Sequence, residues 1–330
     1  MRWARIALFV CGAALFIALL IRIGPAVVMA FFAELSWRLP LILLFPFCLM
    51  TILDALGWRF AFSRDRVPFG ALLSARLAGE AFNVTTPTAS VGGEAVKAWL
   101  LRPYLPMTES LPSVIIAKTT MTIGQVLFLL LGLLVAWSTL PTGSSLLRAM
   151  QWMLGLECLA AVGFVTVQVL GVMDGAGRIL DRLRLFGHHD GARTLRQMDE
   201  SLAHFYRHQP GRLLLSIGFH FCGWALGVVE AYIILQALGF PVSLATATVI
   251  EAFGTGVGFA AFLIPARLGA MEAGDVAVFT LMGLGAPAGL AFSLIRRLRG
   301  LVWTGVGFLA LWSLRTRPRA LPTVALEPEA

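Results

Sequence analysis

The chain has 330 residues, of which 58% are hydrophobic and only 13% are charged, and its formal net charge is +8. A soluble domain normally carries about 25% charged residues, so this composition excludes an ordinary soluble enzyme. The basic residues lie mainly in short segments between apolar blocks, as the positive-inside rule expects, and no nucleic-acid-binding signature accompanies them. A nucleic acid is therefore not an expected partner.

Apolar blocks of about twenty residues predict membrane-spanning helices. They lie at about 5–22, 39–57, 112–138, 149–173, 213–238 and 288–314. Two further apolar stretches, at about 71–102 and 246–285, contain helix breakers such as Pro87 and Pro265. Irregular backbone at membrane depth is tolerated only where protein or a water-filled cavity covers it. The sequence thus predicts an all-α polytopic membrane protein with about six full transmembrane helices plus two re-entrant helical hairpins.

The distribution of arginines predicts the orientation in the membrane. The longest polar segment, at about 174–212, is rich in arginine and is expected to be a cytoplasmic loop, helical in part. Residues 1–314 form a single transmembrane domain, and 315–330 are a disordered cytoplasmic tail. Both termini are then cytoplasmic in a bacterial inner membrane. Residues 1–22 lack a small-residue cleavage site and are expected to be an uncleaved first span.

The two broken stretches resemble each other, which suggests an internal repeat. Pro87 precedes Glu94 by the same number of residues as Pro265 precedes Glu272, and the two prolines are 178 residues apart. The same offset carries Lys118 onto Arg296, and the span at 39–57 onto 217–235. Repeat one is about 1–138 and repeat two about 149–314. Each repeat has three full crossings, so the second copy is expected to be inverted, as in many secondary transporters.

Charged residues within the apolar blocks are the candidate functional residues. Each costs about 2.5–3.5 kcal/mol at the bilayer centre and needs a partner or a task. Natural pairs are Glu94 with Lys118, and Glu272 with Arg296. Such pairs either fix helix packing only, or line a polar cavity for an anionic lipid headgroup. The candidate substrate-binding residues are Asn83, Thr86, Pro87, Gly92, Gly93, Glu94, Lys97, Lys118, Pro265, Glu272, Arg296 and Arg297.

The glycine pair in the first broken stretch has two interpretations. Gly92 and Gly93 begin a half-helix whose free N–H groups, together with the hydroxyl of Thr86, suit a phosphate. The alternative is a tight turn that serves packing alone. No nucleophile–base motif, phosphate-loop lysine or metal-binding spacing occurs, so an enzymatic role is not supported, and neither a cofactor nor a metal is expected.

These motifs resemble those of one family. The run from Phe82 to Lys97, with Asn83, Pro87, Gly92, Gly93 and Glu94, is similar to a signature of the lysylphosphatidylglycerol synthase transmembrane, or flippase-like, family. Pro265, Gly269, Glu272 and Arg296 resemble its second signature, although Arg267, Ala270 and Met271 replace the usual small residues. The resemblance covers nearly the whole chain and implies a helical membrane domain that moves or handles lipids. The aminoacyltransferase domain of bifunctional members is expected to be absent, so lysyl transfer is not expected.

Three functional hypotheses follow. The first is a flippase-like lipid translocator for an anionic or phosphate-bearing lipid. The second is an accessory subunit or enzyme of lipid-linked glycan or hopanoid biosynthesis, with a lipid-modifying enzyme or glycosyltransferase as partner. The third is a structural scaffold, in which substitutions of Glu94 or Arg296 change abundance alone.

Overall fold

A computed structural model describes residues 2–35, 37–86, 92–169 and 190–316. Every regular element in these ranges is helical, which confirms the all-α prediction for this part of the chain. Pro87, the first part of the 174–212 loop and the tail from 317 onward lie outside the described residues. The α-helices are α1 (Arg2–Ile23), α2 (Pro25–Leu35), α3 (Arg38–Leu44), α4 (Phe47–Phe60), α5 (Phe69–Thr85), α6 (Gly92–Leu100), α7 (Met107–Thr139), α8 (Ser145–Val169), α9 (Asp190–His208), α10 (Pro210–Ala237), α11 (Leu244–Ala260), α12 (Ala270–Leu281) and α13 (Ala286–Thr316).

Within the described residues, four helical segments are long and apolar enough to cross a membrane, and α3 and α4 together form one of them. They cover Arg38–Phe60, Met107–Thr139, Ser145–Gln168 and Pro210–Ala237, and they match four predicted spans. The chain is a multi-pass membrane protein. The predicted span at 288–314 is a single helix, α13, but this helix is not among the four. It carries three arginines near its middle, and carboxylates of neighbouring helices contact them.

The first predicted span is shorter than the apolar helical segment that contains it. Phe9–Ile23 and Pro25–Ala33 form a pair bent by 80°, which could count as a fifth span. The bend lies at Gly24, whose φ of +95° belongs to the left-handed region that glycine tolerates. Pro25 follows, and its missing N–H suits a helix start. The predicted span ended at residue 22 and did not extend to this second arm.

Two apolar clusters mark the two ends of the helix bundle. One cluster contains Trp58 from α4, Leu101 and Phe205, and we call its end the basic end because Arg59, Arg64, Arg66, Arg102 and Arg212 lie there. The other cluster contains Ala136, Leu238 and Phe279 and defines the opposite end.

The α5–α6 hairpin starts and finishes at the basic end. The first turns of α5 and the last residues of α6 both belong to the basic-end cluster. Arg66, which precedes α5, also lies 3.7 Å from Glu109 at the start of α7. The chain therefore returns to the end from which it entered, and α7 then runs to the opposite end, where Leu133 and Ala136 are buried.

The α11–α12 hairpin has the reverse orientation. Ala247 near the start of α11 and Phe279 near the end of α12 belong to the opposite-end cluster, together with Phe292 of α13. Leu311, near the end of α13, belongs to the basic-end cluster. The two hairpins thus enter the bundle from opposite ends, and each is followed by a long helix that crosses it.

Candidate functional site

Asn83 closes the first hairpin. It lies in the last turn of α5, and its Oδ1 accepts a hydrogen bond from the N–H of Gly93 at 2.9 Å. Its Nδ2 donates to Oε1 of Glu94 at 3.2 Å. The hydroxyl of Thr86 donates to the carbonyl of Phe82, so it is used within its own helix. One amide side chain therefore fixes both the start of α6 and the carboxylate that α6 carries.

The two glycines of the signature allow α6 to lie close to α5. A Cβ at Gly93 would overlap the carbonyl oxygen of Gly79 and the side chain of Asn83. The contact leaves space for the side chain of Lys97, whose Nζ donates to both carboxylate oxygens of Glu94, at 2.9 and 3.0 Å. This packing accounts for Gly93 without any ligand. Gly92 is the first residue of α6.

A narrow polar cleft lies between the first hairpin, α4, α7 and α10. It has about 40 Å³ into which the centre of a water molecule fits, which is enough for only a few waters. Its lining residues are Asp54, Trp58, Arg76, Glu80, Glu94, Lys97, Val114, Ala117, Lys118, Met121 and His220. A cleft of this size does not admit a lipid headgroup without a movement of its walls.

Some charges of the cleft are paired. Asp54 accepts a hydrogen bond from Arg76 and lies 3.2 Å from Nδ1 of His220. The other ring nitrogen of His220 is buried and has no hydrogen-bond partner in the described part of the chain. Sequence reasoning did not include Arg76 or His220 in the site. The histidine within the apolar block at 213–238 was the available signal.

Lys118 has an exposed side chain and no hydrogen bond or ion pair to any described residue. Its predicted partner was Glu94, but Lys97 takes that place because it lies one helical turn from Glu94 on the same helix. The charge of Glu94 still acts on Lys118 across the cleft. The structure thus brings Glu94, Lys97 and Lys118 together, and in the described part of the chain Lys118 is the one of the two lysines that has no ion pair.

The second hairpin holds its glutamate in a different way. Oε2 of the buried Glu272 accepts a hydrogen bond from the N–H of Gly269 at 2.8 Å, and the carboxylate also pairs with Arg297. Gly269 has a φ of +77°, so its conformation favours glycine. Pro265 begins a short 3-10 turn, Pro265–Arg267, at the tip of the hairpin.

Arg296 does not line the polar cleft. Its guanidinium donates to Oε2 of Glu230 at 3.0 Å and to Glu251, while Arg299 pairs with the other oxygen of Glu230. The predicted pair of Glu272 with Arg296 is therefore wrong, and Arg297 is the partner. Consecutive helical residues point about 100° apart, so Arg296 faces α10 and α11 while Arg297 faces α12.

The predicted site residues thus fall into two clusters. Asn83, Gly93, Glu94, Lys97 and Lys118 belong to the first hairpin and the open cleft. The second cluster consists of two separate sets of ion pairs: Glu272 pairs with Arg297, while Arg296 and Arg299 pair with Glu230, and Arg296 also with Glu251. In the described residues, no group of three or more His, Cys, Asp or Glu side chains is placed to hold a metal ion.

Comparisons with known proteins identify the family. No curated protein and no solved structure matches the chain. Residues 2–307 match the family model described as the lysylphosphatidylglycerol synthase TM region. Since the match covers nearly the whole chain, the protein belongs to the lysylphosphatidylglycerol synthase TM region family.

Proposed function

We propose that this protein is a flippase-like translocator for a membrane lipid with an anionic, phosphate-bearing headgroup. The observation that carries the proposal is Lys118, an exposed cation without a partner among the described residues. The other basic residues of its cleft, Arg76 and Lys97, are paired. An unpaired charge within a membrane-spanning helix is costly, so it indicates a ligand of opposite charge.

We infer that the chain is an inverted repeat, which would allow alternating access to this site. Gly92 and Ala270, the first residues of α6 and α12, are 178 residues apart (270 minus 92), as are Pro87 and Pro265. The packing is reciprocal, because α5 contacts α13 while α7 contacts α11, and α4 contacts α10. With the hairpins entering from opposite ends, each end has one hairpin whose movement would open the cleft.

The orientation in the membrane belongs to the same proposal. The basic end carries Arg59, Arg64, Arg66, Arg102 and Arg212, whereas Arg38 and Arg148 flank helices that reach the opposite end. By the positive-inside rule, the basic end faces the cytoplasm of a bacterial inner membrane. The amino-terminal hairpin then opens inward and the carboxy-terminal hairpin outward.

A reconstitution experiment tests the proposal. Proteoliposomes would carry fluorescent anionic, zwitterionic or glycosylated lipids, and a membrane-impermeant quencher would report movement between leaflets. We expect the wild type to move anionic lipid, and Lys118→Gln and Glu94→Gln to lose most of that movement. Arg148→Gln is the matched control, because it removes an exposed positive charge outside the cleft.

The outcomes separate translocation from the accessory-subunit hypothesis. If the wild type and Lys118→Gln moved lipid equally well, the cleft would have no part in translocation. No movement of any lipid by folded protein would overturn translocation and favour an accessory subunit, or an enzyme, of lipid-linked glycan or hopanoid synthesis. In that case a co-purifying glycosyltransferase or lipid-modifying enzyme is expected.

A further inference from the structure

The tip of the second hairpin has an unusual backbone. Ala266 and Arg267 have φ values of 52° and 50°, although neither is glycine. Non-glycine residues in this region are strained, and such strain clusters at binding and switch sites. Arg267 gains no hydrogen bond or ion pair from its side chain within the described chain, and that side chain is exposed. Contacts of the guanidinium therefore do not compensate for the strained conformation.

Arg267 is held close to the cleft of the first hairpin. The 3-10 turn packs against α5, and the guanidinium lies over Gly258, where an added Cβ would be 3.1 Å from Nη1. Any larger residue at Gly258 would push the guanidinium aside. The charge of Glu80, an exposed residue on α5, acts on both Arg267 and Lys118. Three charged side chains from three different elements thus act on one another, and two of them, Glu80 and Lys118, line the cleft.

The charges of the cleft and of the nearby Arg267 do not sum to zero. Asp54 pairs with Arg76, and Glu94 pairs with Lys97, so these four cancel. Lys118, Arg267 and Glu80 have no ion-pair partner among the described residues, which leaves two positive charges and one negative charge. The missing partner is a single negative charge.

We infer that Lys118 and Arg267 form one anion-binding pair, shared between the two hairpins, that takes the phosphodiester of a lipid headgroup. A planar guanidinium can donate two parallel hydrogen bonds to phosphate, and an ammonium adds a point charge. One phosphodiester charge neutralises the excess. Glu80 then accepts a hydrogen bond from a hydroxyl of the headgroup. This inference rests on the proposed function for the source of the phosphate, but it concerns binding and not movement.

Binding to detergent-solubilised full-length protein tests the pair directly. The ligand is phosphatidylglycerol, titrated in detergent micelles and followed by the thermal shift of the protein and by native mass spectrometry. Diacylglycerol is the uncharged lipid control, and soluble glycerol phosphate distinguishes a lipid from a free phosphate ester. We expect phosphatidylglycerol to bind, glycerol phosphate to bind more weakly, and diacylglycerol not to stabilise the protein.

Two glycine variants separate binding from folding. Arg267→Gly relieves the left-handed backbone while it removes the guanidinium, so it is expected to fold at least as well as the wild type. Its affinity for phosphatidylglycerol should fall about tenfold or more, the loss expected for a charged hydrogen bond. Ala266→Gly gives the same backbone relief and keeps Arg267, so its affinity should stay within about twofold of the wild type.

Each outcome of these binding measurements supports or overturns the anion-binding pair. Arg267→Lys should bind with intermediate affinity, because it keeps the charge and loses the paired hydrogen bonds. Unchanged affinity of folded Arg267→Gly, or equal binding of diacylglycerol and phosphatidylglycerol, would overturn the inference. Tighter binding of glycerol phosphate than of the lipid would identify a soluble phosphate ester as the ligand and overturn the lipid source. Binding that persists in a protein without translocation would refute the proposed function and leave the anion-binding pair intact.

Discussion

Gly93 lies directly against the carbonyl of Gly79, and this contact joins the two helices of the first hairpin. Small residues let membrane helices approach closely, where van der Waals packing replaces the hydrophobic effect. The side chain of Asn83 covers the contact and bonds to the N–H of Gly93. The glycine of the signature therefore serves helix packing, and this packing also positions the carboxylate of Glu94.

Gly93→Ala is expected to destabilise the protein by about 1–3 kcal/mol, since the new methyl group overlaps backbone atoms that cannot move aside. Unfolding in detergent by heat or by a denaturing detergent measures the effect. Gly70→Ala is the matched control, because a Cβ there meets no atom within 4 Å and alanine favours the helix. If Gly93→Ala and Gly70→Ala are equally stable, the close contact of α5 with α6 does not account for the stability of this hairpin.

Arg296→Ala is expected to cost about 3–5 kcal/mol, because Glu251 would be left as a buried carboxylate without its partner. Glu230 would keep Arg299. Replacing both Arg296 and Glu251 by leucine should restore most of the stability, since a buried pair can be exchanged for apolar residues at little cost. Thermal unfolding of Arg296→Leu, Glu251→Leu and the double variant gives the coupling. A double variant as unstable as the sum of the singles would contradict this account.

The sequence predicted most of the long helices, but it did not predict which charged side chains form ion pairs. Apolar blocks predicted four of the spans because a helix must cover the thickness of the bilayer. Pro265 correctly indicated the break between α11 and α12. The partner of Glu272 was missed because the choice between Arg296 and Arg297 depends on the rotation of α13 about its axis. A short motif carries no information on that rotation.

The tertiary position of Arg267 was also beyond the sequence. The sequence placed Arg267 only within the second broken stretch, at about 246–285, whereas the turn that carries it packs against α5. Contacts between residues far apart in the chain depend on how two hairpins from opposite ends meet. Glu157 is a different case, because the sequence does carry its signal. It is a lone carboxylate inside the apolar block at 149–173, yet it was not among the candidate functional residues.

Asp65 at the basic end is expected to give a stability contribution that depends on pH. Burial would raise the pKa of Asp65, but the hydrogen bond and charge of Arg212 and the charge of Arg59 outweigh it and lower the pKa below the ordinary 3.8. A carboxylate with a lowered pKa stabilises the fold above its unfolded pKa, and this contribution disappears as pH falls through the folded pKa. Asp65→Asn should therefore melt at a lower temperature than the wild type at pH 7.

The difference between Asp65→Asn and the wild type should narrow below about pH 4 and vanish near pH 2, where both carry an uncharged residue. Melting temperatures at a series of pH values measure it. Glu200→Gln is the control, because the Glu200–Arg196 pair is mostly exposed and such pairs contribute little. If the difference in melting temperature stays constant down to pH 2, the charge of Asp65 is not the cause of its stabilising effect.

Glu157 is expected to be dispensable for folding. Its side chain in α8 is fully buried, and neither carboxylate oxygen has a hydrogen-bond partner in the described residues. An unsatisfied buried polar group costs about 1–3 kcal/mol, whereas an apolar group of similar shape has no such cost. Glu157→Leu should therefore be as stable as the wild type or more stable, by up to that amount. Glu251→Leu, which removes a paired carboxylate, should be clearly less stable. Thermal unfolding of the two variants under one condition decides the matter, since a large loss of stability in Glu157→Leu would mean that this carboxylate holds a partner in the folded protein.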